Sequence, residues 1–254
     1  MINRLKELPK ELEILKDRPK ELFYIGNLDF LNHKKVSIVG TRHPISYTKQ
    51  FCTKLGNALK KRGVFVVSGG AMGVDALAHK SAFPNTIGVM ANSLDIVYPK
   101  VNFSLIKNME KESLILSEYE ANTPATKYSF VLRNRIVVAL GDVLVVAQAD
   151  LNSGSMRSVE IAQKYGKKIY VLPHRLEDSL GTNVLLRDGR AEAIYDIEEF
   201  ADMFGKIEKK SDEILDFCEQ NSSLQDAVER FGDKIYEYEL DGKIEIKNLK
   251  VTVL

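Results

Sequence analysis

Apolar residues in this chain fall into short, largely β-branched runs separated by stretches of helical period. Residues 35–40, 64–67, 86–90, 114–118, 142–148 and 168–172 each read as a strand; 64–67, too short and too β-branched for a helix, reads as buried on both faces, and 35–40 also reads as buried. Between them, Phe51, Leu55, Ala58 and Leu59 mark an amphipathic helix from about Ser46 or Tyr47 to Gly63. Ala76, Leu77 and Lys80 follow Met72 at helical spacing, and residues 103–109, 130–140 and 156–165 fill the other gaps with helix. Strands alternating with single helices predict an α/β protein with a parallel sheet and helices on both faces.

Residues 3–31, broken at Pro9 and Pro19, read as one or two short helices and a connecting segment. After the α/β part, residues 206–211 form a charged connector. Three helix-period groups follow: Ile214, Leu215 and Cys218; Leu224, Val228 and Phe231; Ile235, Tyr236, Tyr238 and Leu240. Residues 244–253 then alternate like a hairpin, so the tail has the pattern of a winged helix. The predicted organisation is a short helical extension over 1–32, an α/β domain over 33–205 and a small winged-helix-like domain over 206–254.

Composition narrows the class. With 254 residues and 44% hydrophobic content, the chain can bury one large core and a small appended domain. No apolar run reaches membrane-spanning length, and the first eight residues alternate charge with Leu instead of forming a signal-peptide core. Cys52 and Cys218 are far apart and in no C-x-x-C pair, which argues against disulfides and cysteine zinc sites and for a cytoplasmic location. Residues 206–254 hold 8 Lys+Arg against 12 Asp+Glu, a balance of −4, whereas residues 1–205 hold 28 against 23, a balance of +5. A basic body favours a polyanion as its partner, and an acidic tail some other role.

The candidate chemistry lies in the loops after the strands. In a parallel sheet the ligand crevice opens beyond the strands' carboxyl ends. Gly40-Thr41-Arg42, Ser68-Gly69-Gly70 and Ser153-Gly154-Ser155 all collect there, with Arg133, Asn134 and Arg135 on a following helix. Strand, glycine turn and helix point backbone N–H groups and the positive end of a helix dipole at an anion. The central loop is neither G-x-x-x-x-G-K-[ST] nor G-x-G-x-x-G, so no nucleoside triphosphate or dinucleotide fingerprint is present. Asp75 and His79 lie one helical turn apart; without further ligands they read as a structural hydrogen bond, not a metal site.

Seven stretches occur in order: Ile38-Val39-Gly40-Thr41-Arg42, Val67-Ser68-Gly69-Gly70-Ala71-x-Gly73-Val74-Asp75-x-x-Ala78-His79, Tyr98-Pro99, Leu116-Ser117-Glu118-Tyr119, Phe130-x-x-Arg133-Asn134-Arg135-Ile136, Ser153-Gly154-Ser155-Met156 and Gly181-Thr182-Asn183-x-Leu185. Together they resemble the DNA-processing protein A (DprA/Smf) family of bacterial natural transformation. The resemblance implies an extended Rossmann-like domain that binds single-stranded DNA, forms a homodimer and loads a RecA-type recombinase, with no cofactor, metal or membrane. By motif position it assigns DNA contact to Gly40, Arg42, Ser68, Gly69, Gly70, Lys127, Phe130, Arg133, Ser153, Gly154 and Ser155. Gly70 stands where the family often has Leu. Independently, a single-strand site needs phosphate donors and a flat side chain for stacking, and Arg42, Lys127 and Phe130 offer both. For Phe130 the alternative is a core anchor, and for Arg133 an ion pair with Glu118 or another acid.

The rival class is an enzyme. Nucleotide hydrolases of the lysine-decarboxylase-like group use a P-G-G-x-G-T-x-x-E loop. The nearest stretch, Ser153-Gly154-Ser155-Met156-Arg157-Ser158, lacks the double glycine and places a serine where the carboxylate should stand. No catalytic residue is assigned.

Overall fold

Strand order in the computed structural model, which describes residues 1–207 and 212–253, explains where a ligand can enter. The chain divides into two compact units, Met1–Ile207 and Glu208–Leu254. In the first, nine strands form one sheet: β1 (Asn3–Arg4), β2 (Phe23–Gly26), β3 (Lys35–Val39), β4 (Phe65–Gly69), β5 (Thr86–Val89), β6 (Leu114–Ser117), β7 (Val143–Val146), β8 (Ile169–Val171) and β9 (Glu192–Ala193). They lie in the order β1-β2-β6-β5-β4-β3-β7-β8-β9. From β3 the chain steps outward through β4, β5 and β6, then returns to the other side of β3 with β7, β8 and β9. Loops leaving β3 and β7 therefore diverge to opposite faces, and the gap between them is the switch point.

Seven helices cover the sheet: α1 (Ser46–Lys61), α2 (Val74–Ala82), α3 (Phe103–Glu112), α4 (Lys127–Leu140), α5 (Gly154–Lys164), α6 (Leu180–Arg187) and α7 (Ile197–Asp202). Every residue of β3 through β8 is buried, which for β3 and β4 is what the runs at 35–40 and 64–67 predict. Alternation sorts them: Phe65 and Val67 pack with α4 and α5, while Val64 and Val66 pack with α1, α2 and α7.

The parallel order fails at one edge. β2 pairs antiparallel with β6, Phe23 opposite Ser117, and β1 pairs antiparallel with β2. The helices expected over residues 3–31 are instead these strands and two 3₁₀ turns, Lys10–Ile14 and Leu28–Asn32. Leu12, Leu15 and Leu22 are buried in the same core as β6 and α4, so the extension is part of this unit. The physical reason is non-local: the open edge of β6 offers unpaired N–H and C=O groups, and a short apolar segment from elsewhere satisfies them. Arg135 fastens the arrangement, donating to both carboxylate oxygens of Glu118 at 2.8 and 2.7 Å and to the carbonyl of Asp17 at 2.7 Å.

The second unit contains α8 (Glu213–Gln220), α9 (Leu224–Phe231), α10 (Lys234–Leu240) and the antiparallel pair β10 (Ile244–Lys247) and β11 (Lys250–Val253). Three helices and a hairpin around Ile214, Cys218, Ala227, Ile235, Ile244 and Val251 give the winged-helix-like arrangement expected. Asn248 and Leu249, both at positive φ, close the hairpin in two residues. Positions 208–211 of the charged connector lie outside the described residues. Among the described residues, no helix is long and apolar enough to cross a membrane.

Candidate functional site

A crevice of about 320 Å³ opens at the switch point. Its rim is the loop after β3 (Gly40, Thr41, Arg42), the end of β4 (Gly69), the first turn of α5 (Ser153, Gly154, Ser155) and one side of α4 (Phe130, Arg133, Asn134). Gln148, just after β7, fixes that geometry. Its carbonyl accepts from Thr41 N at 2.9 Å, and its side-chain oxygen accepts from Ile45 N at 3.1 Å and the Thr48 hydroxyl at 2.9 Å. Ser153 caps α5, its hydroxyl accepting from Met156 N at 3.4 Å. The free N–H groups and positive dipole end of α5 therefore open into the crevice.

Arg133 forms the floor. It is 4% exposed. Its Nη1 donates to the Val89 carbonyl, and its Nε donates to Asn134 Oδ1 at 3.3 Å. The guanidinium lies against Gly69, where an added Cβ would collide with it. Glycine is needed there because a cation is packed beneath the backbone, not because the turn is tight. Burial pushes the Asp75 carboxyl up from its ordinary pKa, and Arg133, the Ala71 N–H, Ser68 and Arg42 pull it back down. Asp75 is thus a buried carboxyl coupled electrostatically to Arg133.

His79 does not bond Asp75 in this arrangement. Its Nε2 lies 2.7 Å from the Gly69 carbonyl and its Nδ1 2.6 Å from the Thr86 hydroxyl. Burial and the nearby Arg133 push its pKa down to about 4, so the ring is neutral at pH 7. A neutral ring donates from Nε2 to Gly69 and accepts from Thr86 at Nδ1. His79 supports the loop from behind. Among the described residues no cluster of three or more His, Cys, Asp or Glu could hold a metal ion.

Phe130 forms the wall. It is half-buried, with the Arg42 guanidinium 5.3 Å and the Arg133 guanidinium 6.0 Å from its ring centroid. Tyr98, 45% exposed, stands 5.9 Å away centroid to centroid. The exposed Arg42 guanidinium lies over the Phe130 ring, so a cation and an aromatic surface, the two groups that a phosphate and its base require, adjoin in the crevice.

Of the residues singled out from sequence, Gly40, Arg42, Gly69, Phe130, Arg133, Ser153, Gly154 and Ser155 are brought together here. Ser68, Gly70 and Lys127 are not among the crevice lining. Ser68 is fully buried and donates to the Ile38 carbonyl at 2.6 Å. The Gly70 carbonyl accepts from Asn102 Nδ2 at 3.1 Å. Lys127 is exposed at the start of α4, one turn before Phe130. The ion pair considered for Arg133 with Glu118 is made by Arg135 instead.

Sequence reasoning gave no role to three features. Asn134 reaches the Gly154 carbonyl at 3.5 Å, the buried Ser158 hydroxyl in the crevice lining has no hydrogen-bond partner among the described residues, and Gln148 organises the loops. The motifs carry Asn134 beside Arg133 and Ser158 at the end of the serine–glycine stretch; nothing in the sequence singles out Gln148.

A doubly wound sheet with a cation-rimmed crevice at its switch point defines a Rossmann-type α/β protein. The particular family follows from the chain as a whole. A family profile described as DNA recombination-mediator protein A matches residues 1–205, and the chain belongs to that family. It is 34% identical over 200 residues to DNA processing protein DprA of Bacillus subtilis, a match covering 76% of this chain and 67% of the relative. A solved structure of DNA processing protein A from Helicobacter pylori, described for its single-stranded DNA binding mode, aligns with a TM-score of 0.78 and 46% identity over 80% of this chain and 94% of that one. DprA from Streptococcus pneumoniae aligns with a TM-score of 0.74 and 32% identity, over 81% and 75% of the two chains. The chain spans about two thirds of the length of the curated Bacillus subtilis and Streptococcus pneumoniae relatives.

Proposed function

We propose that the protein binds single-stranded DNA in the switch-point crevice, phosphate against Arg42 and the first turn of α5, base against Phe130. The observation that carries this reading is the Arg42–Phe130 pair, set 5.3 Å apart beside an open helix N-terminus. Gly40, Gly69, Ser153 and Ser155 shape the approach, Arg133 holds the floor positive, and Lys127 offers a further phosphate contact from the rim. Ser68 and Gly70 support the loop beneath. No residue is assigned a catalytic role. Family membership supports the wider reading: the protein protects incoming DNA during transformation, forms a homodimer and loads a RecA-type recombinase, working in the cytoplasm.

The second unit has a different role in this reading. Its third helix, α10, carries Glu237 and Glu239 and is followed by Asp241, against Lys234 alone. A winged helix that reads duplex DNA places that helix in the major groove, where these carboxylates would meet phosphates. It is assigned to protein contact.

Titration of single-stranded and duplex oligonucleotides across salt concentration tests the reading. Affinity for single strands should fall steeply with salt, since bound phosphates release counterions. Arg42→Ala should weaken all single strands and make the log–log slope shallower by about 0.7, one phosphate's worth. An unchanged slope in a folded variant would remove Arg42 from the site.

Gly154 gives an independent check. A Cβ there would meet nothing within 4 Å, so packing does not require glycine at that position. Gly154→Val should therefore leave the melting temperature close to the parent's while filling the mouth of the crevice and weakening single-strand binding. Unchanged affinity would show that the strand does not approach the first turn of α5.

A further inference from the structure

A second concavity adjoins the crevice. A groove of about 420 Å³ lies between α1 and α2, and Arg42 lines both it and the crevice. Lys49 of α1 and Lys80 of α2 line it with His43, and no Asp or Glu does. Among the described residues, no carboxylate lies within ion-pair distance of Arg42, Lys49 or Lys80. Other surface cations of this unit, Lys107, Arg157 and Arg187, each hold a neighbouring carboxylate.

The helix termini sharpen the asymmetry. Lys80 stands in the last turn of α2, where the dipole favours a cation. Lys49 is the fourth residue of α1, at the end where the dipole disfavours one. The first turn of α1 has no acidic residue, and its N-cap, Ile45, makes no side-chain cap. Nothing local offsets the positive potential there. Exposed Met72 and Val101 add an apolar surface within the same groove.

We propose that this groove carries the phosphates of nucleotides flanking the one seated in the crevice, so that a single strand crosses Arg42 and continues between Lys49 and Lys80. The inference rests on the crevice reading. A polymer, not a free nucleotide, fits two concavities joined through one shared cation. Met72 and Val101 give a passing base or sugar an apolar contact without base-specific groups, in keeping with little sequence preference.

The test measures the full chain with a ladder of oligothymidylates, from strands short enough to fill the crevice alone to strands that extend beyond it. Lys49→Gln/Lys80→Gln should bind the shortest strands as the parent does. For long strands its log–log salt slope should be shallower by about 1.4, two phosphates at about 0.7 each. Both lysines are exposed, and a melting curve checks the fold. An unchanged slope with long strands overturns this inference and leaves the crevice reading standing. A loss equal for the shortest and longest strands also overturns it, because the substitutions would then be acting on the crevice. Failure of the parent to bind single strands of any length overturns the crevice reading, and this inference with it.

Discussion

Replacing Arg133 with methionine should lower stability at pH 7 by about 3 kcal/mol, the scale of leaving a buried charge uncompensated. Methionine keeps much of the side-chain volume, so the loss would be electrostatic. The Val89 carbonyl loses its charged donor, and Asp75 loses the strongest of the charges and hydrogen bonds that hold its carboxyl down. The pH dependence follows from the direction of the Asp75 shift. Its folded pKa is raised above that of an unfolded aspartate, about 3.9, so the folded chain binds the proton more tightly. Stability therefore falls as pH climbs from the unfolded value through the folded one, and levels off above it. Without Arg133 the folded value rises further, and the fall continues to higher pH.

The deficit of Arg133→Met against the parent should accordingly be smallest near pH 4 and grow toward neutrality. His79 acts in the same direction, because Arg133 is one cause of its lowered pKa. Urea midpoints at several pH values measure this. Adding Asp75→Asn should flatten the trend; a deficit independent of pH would show that Asp75 is not the partner of Arg133.

Phe130→Ala should weaken single-strand binding by about 1–3 kcal/mol, the range for one lost base–aromatic stack. That is a fall of roughly 5- to 150-fold at about 1.4 kcal/mol per tenfold change. The salt slope should stay near the parent's, since no phosphate contact is removed; Arg42→Ala should do the reverse. Phe130→Leu separates stacking from bulk, retaining an apolar side chain without a π face. With an abasic site at the bound nucleotide, the parent should lose affinity and Phe130→Ala should lose little more. Equal sensitivity of both proteins to the abasic site would return Phe130 to a purely structural role.

The comparison of sequence with structure turns on range. Residues 64–67 announced a buried strand because β-branched residues packed on both faces need a continuous apolar run, and that requirement is local. The α1 periodicity, the winged-helix pattern of the tail and the glycine loops at strand ends were legible for the same reason. Phe23-Tyr24-Ile25 was not, because it becomes a strand only by pairing with the edge of β6, some ninety residues away in sequence.

The site divides similarly. Loop residues that follow strands in a parallel sheet must gather at one rim, so the sequence alone groups Arg42, Gly69 and Gly154. Which groups face the ligand depended on tertiary contacts. Ser68 belongs to the glycine loop by sequence, but β4 continues through it and turns its hydroxyl to β3. Arg133 and Arg135 are two residues apart in one motif, yet the helix turns one under Gly69 and the other toward Glu118. A helical step of about 100° per residue separates side chains that a motif lists together. What the sequence by itself determined is the alternation of elements and the placing of polar loops at one end of the sheet, because both follow from local burial and chain direction. The tertiary structure alone decided the antiparallel edge, the Arg133–Asp75 floor and the groove beyond Arg42, because each depends on which distant groups burial and charge bring into contact.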